Sequence, residues 1–180
     1  PLACAALFSR KKYRAGFLEK CGMLTPRGAA GRPIWVHAVS VGEVMAAVPL
    51  IKEIKQRFPD VPLVVSTITE TGNQTAHRNL KLADRIIYFP FDYPFIVRRV
   101  VRAVNPRVFI MLETEIWPNF LRELSRRSTP VLMISGRISE RSFRNYKLFS
   151  FFFKHVLAQV SRLCMQTAED AQRIIDIGAP

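Results

Sequence analysis

The stretch Gly31-Arg32-Pro33-Ile34-Trp35-Val36-His37-Ala38-Val39-Ser40-Val41-Gly42-Glu43 decides the fold. Gly31-Arg32-Pro33 punctuates the chain, and residues 34–39 then form a short apolar run, which reads as a buried strand. After it the period changes. Val44, Ala47, Val48, Ile51, Ile54 and Phe58 recur at helical spacing, a stripe suited to packing on a sheet. Pro49 falls inside this helix, where it predicts a kink, and Pro59-Asp60 ends it. A strand running straight into an amphipathic helix is the first half of a βαβ unit.

The pattern repeats along the chain. Further strands are expected at 61–68, 85–89, 107–112, 130–135 and 162–166, rich in β-branched and other apolar residues. Between them lie helical stretches at 73–82 and 95–104, another from Pro118, and one over 139–160. A last helix is expected at 168–177, with Thr167 as N-cap and Gly178 as C-cap. Such alternation predicts an α/β fold with a parallel sheet and right-handed crossovers. Functional residues then belong where strand carboxyl ends meet helix amino ends. No internal repeat or linker interrupts the pattern, so the chain reads as one domain.

Composition narrows the class. The 180 residues are 49% apolar, too many for a disordered tail and ordinary for a globular domain. No apolar run reaches the roughly 18 residues of a spanning helix. The formal charge is +13, and its distribution matters more than its sum. Residues 1–32 and residues 122–154 each carry +6, leaving +1 for the remainder. Two basic blocks on a nearly neutral body suggest a polyanionic partner, either anionic lipid or nucleic acid.

Other chemistries find no signature. Cys4, Cys21 and Cys164 are odd in number without CxxC spacing, consistent with a reducing compartment. His37, His77 and His155 are scattered, so no metal site is expected. Asn73-Gln74-Thr75 matches a glycosylation acceptor, which matters only in a secreted chain. The opening Pro1-Leu2-Ala3-Cys4-Ala5-Ala6-Leu7-Phe8 followed by Ser9-Arg10-Lys11-Lys12-Tyr13-Arg14 has the grammar of an apolar segment at a cytoplasmic membrane edge. An ordinary first helix reads the same way.

Three segments fall on the carboxyl edge. Ser40-Val41-Gly42-Glu43 follows the first strand; Gly42 permits a tight turn, and Glu43 is either a helix-start carboxylate or a base aimed into a crevice. Neither GxGxxG nor a Walker loop is present there. Glu113-Thr114-Glu115-Ile116-Trp117-Pro118-Asn119 follows a fully apolar strand, where two carboxylates beside a Trp must be solvated, paired or used. Ser135-Gly136-Arg137-Ile138-Ser139-Glu140-Arg141-Ser142 offers a Gly turn, helix-start hydroxyls and two arginines, fit for a phosphate or for a simple cap. Two acid-bearing turns on one edge would suit acid–base chemistry on a sugar.

His37-Ala38-Val39-Ser40-Val41-Gly42-Glu43, Glu113-Thr114-Glu115-Ile116-Trp117-Pro118-Asn119, Gly136-Arg137-Ile138-Ser139-Glu140-Arg141-Ser142 and Gln166-Thr167-Ala168-Glu169-Asp170 occur in that order. Together they closely resemble the amino-terminal half of the Kdo (3-deoxy-D-manno-octulosonic acid) transferases of lipid A biosynthesis. The resemblance runs from the basic flank at residues 11–14 to the end. One departure is Ser135, where the family commonly has Asn.

The resemblance implies a Rossmann-like parallel sheet flanked by helices, the amino-terminal half of a two-domain GT-B glycosyltransferase. Residues 1–32 would form a basic, membrane-proximal helical segment and residues 33–180 the acceptor-binding domain, the carboxyl-terminal donor domain lying beyond this chain. The family transfers Kdo from CMP-Kdo to a phosphorylated lipid A precursor at the cytoplasmic face of the bacterial inner membrane, without a metal or other cofactor. By motif, Glu43 matches the general base and Glu113 a residue assigned to transition-state stabilisation. Ser40, Gly42, Glu115, Arg137 and Arg141 are the expected acceptor-binding residues. A neighbouring Glu113 is expected to raise the pKa of Glu43 against the helix dipole. The basic blocks would then meet an anionic membrane rather than nucleic acid, while Phe149, Phe151, Phe152 and Phe153 beside the second either pack in the core or against a further domain or face acyl chains. A basic α/β nucleic-acid-binding module is the alternative reading, and it would show a steep salt dependence.

Overall fold

The first strand is apolar at every position except His37 because both its faces are covered. The computed structural model describes residues 15–24 and 31–180. The described chain runs α1 (Phe17–Lys20), β1 (Ile34–His37), α2 (Val41–Arg57), β2 (Leu63–Thr67), α3 (Glu70–Asn79), β3 (Arg85–Tyr88), α4 (Pro94–Val104), β4 (Val108–Leu112), α5 (Pro118–Arg126), β5 (Val131–Gly136), α6 (Glu140–Leu148), α7 (Ser150–Leu157), β6 (Arg162–Met165) and α8 (Ala168–Ile177).

The six strands form one sheet in the order β3-β2-β1-β4-β5-β6, and every pairing is parallel. This is the Rossmann-like α/β sheet expected from the alternation. The order reverses between β1 and β4, which pair from Ile34↔Val108 to His37↔Met111. Connections leaving those two strands diverge to opposite faces and open a crevice between them.

Side-chain alternation splits the core into two layers. Trp35 points to one face, with Phe109 of β4, Val97 and Val100 of α4, Phe120 and Leu124 of α5 and Val156 of α7. Ile34 and Val36 point to the other, with Val44, Ala47 and Ile51 of α2 and Ala76 of α3. Trp35 meets Phe109 and Phe120 edge-on, at centroid distances of 5.6 and 5.2 Å, an arrangement that favours aromatic pairs beyond simple burial. A smaller cluster of Ile138, Leu157, Ile174 and Ile177 closes the β6 end.

Two local expectations are revised. Helix α2 begins at Val41, earlier than its apolar stripe suggests, and continues through Pro49 to Arg57. The single helix expected over 139–160 is two, because Phe149 leaves helical geometry (φ −113°, ψ 30°) between α6 and α7. The basic flank at residues 10–14 lies outside the described residues. Among the described residues, no helix is long and apolar enough to cross a membrane.

Candidate active site at the carboxyl edge

Glu43 is placed by a capping box. Ser40 is the N-cap of α2, and its Oγ accepts the Glu43 amide at 3.4 Å. The Glu43 carboxylate turns back over the same turn. Its Oε1 accepts the Ser40 hydroxyl at 2.7 Å and its Oε2 accepts the Val39 amide at 2.7 Å. The residue is only 6% exposed. Burial is the main influence on its acidity and raises the pKa; the bonds from Val39 and Ser40 oppose this, and the Glu113 charge adds to the rise. The Glu43 carboxylate is thus part of the cap of its own helix.

The second acid-bearing segment is a loop between β4 and α5, so strand alternation does not govern Glu113 and Glu115. Glu113 is exposed and sits in the left-handed region at φ 58°, uncommon for a non-glycine residue, with its amide held by the Ile134 carbonyl at 3.0 Å. Glu115 is half-buried and titrates at about 7. Burial is the first cause, followed by the negative charges of Glu43 and Glu113. The Trp117 indole N–H lies beside it and partly offsets the rise, although the two do not meet at hydrogen-bonding geometry. Tyr146 of α6 completes the surroundings, its pKa raised by burial and then by the Glu115 charge. Glu43, Glu113 and Glu115 thus share one electrostatic site at the switch point.

The β5 loop is stitched to this site through its backbone. Thr114 Oγ1 accepts the Arg137 amide at 3.0 Å and donates to the Arg137 carbonyl at 2.6 Å. From the other side, Asp170 Oδ1 accepts the Ile138 amide at 2.8 Å. Ser139 caps α6 by accepting the Ser142 amide at 3.2 Å, and Thr167 caps α8. The side chains of Arg137 and Arg141 are exposed. Arg137 adds to the positive field that lowers the Asp170 pKa, behind the hydrogen bonds from Ile138 and Thr167. Neither arginine is paired with the three glutamates.

Gly42 is not required by the turn. A Cβ there would meet only Ser40 Oγ, at 3.9 Å, leaving open space at the helix start. The demanding glycine is Gly72 in the first turns of α3. A Cβ on it would lie 2.8 Å from Thr69 Oγ1 and 2.9 Å from the Val39 carbonyl oxygen. Thr69 also donates its hydroxyl to that carbonyl at 3.2 Å. The β2–α3 connection therefore braces the segment that carries Glu43.

Beneath the site, His37 is fully buried and stacked on Phe89 at 4.0 Å. Its Nδ1 lies 2.9 Å from Ser66 Oγ, which also accepts the Trp35 indole N–H at 2.8 Å. Burial drops its pKa to about 3, so the imidazole is neutral. Asp92, between β3 and α4, caps α5 from a distance, accepting the Asn119 and Phe120 amides at 3.1 and 2.8 Å. It replaces the side-chain cap that Trp117, the N-cap residue, does not supply.

The match to known proteins is extensive. A family model described as 3-deoxy-D-manno-octulosonic-acid transferase (kdotransferase) matches residues 10–180. The 3-deoxy-D-manno-octulosonic acid transferase of Haemophilus influenzae is 31% identical over 171 residues, which cover 95% of this chain and 39% of that protein. The enzyme of the same name from Bordetella pertussis is 32% identical over 152 residues, or 82% of this chain and 35% of its own. That of Chlamydia trachomatis is 30% identical over 174 residues, 96% and 40% respectively. The chain thus spans about two fifths of the length of these relatives. With its motifs gathered on one sheet edge and the match running along nearly its whole length, the chain belongs to the 3-deoxy-D-manno-octulosonic acid transferase family.

Proposed function

We propose that this chain is the acceptor-binding part of a glycosyltransferase that moves Kdo from CMP-Kdo to a phosphorylated lipid A precursor. The observation that carries the reading is the buried Glu43 carboxylate, its pKa raised by burial, facing the charges of Glu113 and Glu115 across the switch point. A carboxylate of ordinary acidity is a poor base for a sugar hydroxyl; one raised toward neutrality is a better one.

In this scheme Glu43 takes the proton of the acceptor's primary hydroxyl. The acceptor oxygen bonds to the anomeric carbon of the sugar as the bond from that carbon to the CMP phosphate oxygen breaks, and CMP leaves. Glu113, exposed and held by its backbone at the crevice lip, offsets positive charge developing on the sugar ring. Glu115, with a pKa of about 7, is present in both protonation states near neutrality and can donate to or accept from the acceptor. Ser40 and the open helix start at Gly42 border the same crevice, while Arg137 and Arg141 extend it toward acceptor phosphates.

The bound acceptor would place this face against the cytoplasmic leaflet of the inner membrane, with exposed basic side chains toward anionic headgroups. The family match gives no support to the nucleic-acid alternative. In the full-length enzyme, Glu43→Gln should lower transfer by about 10²–10⁴-fold while acceptor affinity changes little. Near-normal turnover of Glu43→Gln would overturn the base assignment.

A further inference from the structure

Helices α4 and α5 lie side by side over the Trp35 face of the sheet, and a groove of about 950 Å³ runs between them. Arg98, Arg99 and Arg102 of α4 and Arg122 and Arg126 of α5 line it. All five are exposed, and among the described residues none takes part in an ion pair. The carboxylate in the groove is that of Glu123, which is buried and already bound to Arg127 at 2.7 Å. Arg98 and Arg102, and likewise Arg122 and Arg126, are like charges four residues apart, which destabilises a helix without a counter-charge. Five clustered guanidinium groups favour an anionic occupant.

The rim points to the kind of anion. Phe95, 73% exposed, stands at one end of the groove and stacks on Tyr93 at 6.1 Å. Helix α7 covers the same face of the sheet and exposes Phe151 at 82%. Unpaired arginines beside a solvent-facing aromatic are the composition of a protein surface at a lipid headgroup boundary. A bound nucleic acid would ask for aromatics along the cationic track, where bases stack, rather than at its end.

We propose that the α4–α5 groove docks an anionic lipid surface, the five guanidinium groups seating headgroup phosphates while Phe95 enters the acyl boundary. This deepens the membrane contact of the proposed function and rests on that part of it alone, not on the transfer chemistry. Arg122 and Arg126 belong to the second basic block, and the packing of α4 against α5 adds Arg98, Arg99 and Arg102 from outside both blocks.

Cosedimentation of the protein with phosphatidylglycerol/phosphatidylcholine vesicles, and with pure phosphatidylcholine vesicles, tests the proposal. The wild type should bind the anionic vesicles and not the zwitterionic ones. The triple substitution Arg98→Gln, Arg102→Gln, Arg122→Gln should weaken anionic binding about 100-fold, and Phe95→Ser should weaken it about tenfold. These positions are exposed, and an unchanged thermal melt confirms that the variants fold. If the wild type fails to bind anionic vesicles, the membrane reading and this inference fall together. If it binds and the triple variant binds equally well, only the groove assignment falls. Equal or greater loss in Arg141→Gln, Arg144→Gln, Lys147→Gln would place docking on α6 and overturn it. Tighter binding to duplex DNA than to anionic vesicles, lost in the groove variant, would make nucleic acid the occupant and overturn it as well.

Discussion

Ser40 and Glu43 hold each other from both ends: the Glu43 amide donates to Ser40 Oγ at 3.4 Å, and the Ser40 hydroxyl donates to Glu43 Oε1 at 2.7 Å. One pair of side chains thereby starts helix α2 and fixes the direction of the proposed base. A carboxylate held this way pays no orientation entropy when the acceptor arrives.

Removing the hydroxyl should separate the two roles. Ser40→Ala deletes the N-cap oxygen and is expected to cost about 1 kcal/mol of stability, read by thermal or urea unfolding. It also removes a bond that lowers the Glu43 pKa, so the acid limb of the pH–rate profile should move to higher pH in the full-length enzyme. Ser40→Thr should restore both.

Glu115 carries a pH signature of its own. Its pKa rises from an ordinary 4.5 to about 7 in the folded protein. The folded state therefore holds the proton more tightly, and the associated stability is complete below pH 4.5 and lost as pH rises through 7. Glu115→Gln cannot ionise, so it should match the wild type in stability near pH 4 and exceed it by about 2 kcal/mol at pH 8.5. Paired denaturant titrations at the two pH values check this; an equal difference at both would contradict it.

Gly72 links a structural brace to activity. The Cβ of Gly72→Ala would lie 2.9 Å from the Val39 carbonyl, a backbone atom that cannot rotate away. The Val39–Ser40 segment must shift, and with it the Glu43 carboxylate. We expect a loss of about 1–3 kcal/mol in stability and a fall in kcat larger than any change in KM. Gly42→Ala, with open space around it, should leave stability nearly unchanged.

Much of this was legible in the residues because packing enforces it. Central strands buried on both faces must be apolar runs, and all six strands, the partly exposed edge strands β3 and β6 included, lie within two residues of their expected positions. The quoted edge segments converge because a parallel sheet places successive strand ends on one side. What was hidden depended on contacts between distant segments. Arg98, Arg99 and Arg102 sit in a stretch of almost zero net charge, and they join Arg122 and Arg126 only because α4 and α5 pack together. The break at Phe149 carries no Gly or Pro to announce it. Gly72 is decisive because Val39 lies against it, which no local pattern shows. Ser135 adopts φ 55°, a left-handed conformation that asparagine tolerates better than serine. Gln166 secures it with bonds of 3.1 and 3.0 Å to its carbonyl and hydroxyl.

The order reversal between β1 and β4 has a consequence in time as well as in space. Those strands pair across an interval that the Arg32–Pro106 contact puts at 74 residues, and contacts of such separation come late and slowly. Until they form, Glu43 and Glu113 belong to unconnected parts of the chain. A chain emerging from synthesis through α4 carries no mutual carboxylate repulsion, and that burden arrives when β4 joins β1, with β5 and β6 still to be added. The electrostatic coupling of these acids therefore reports that the two halves of the sheet have joined.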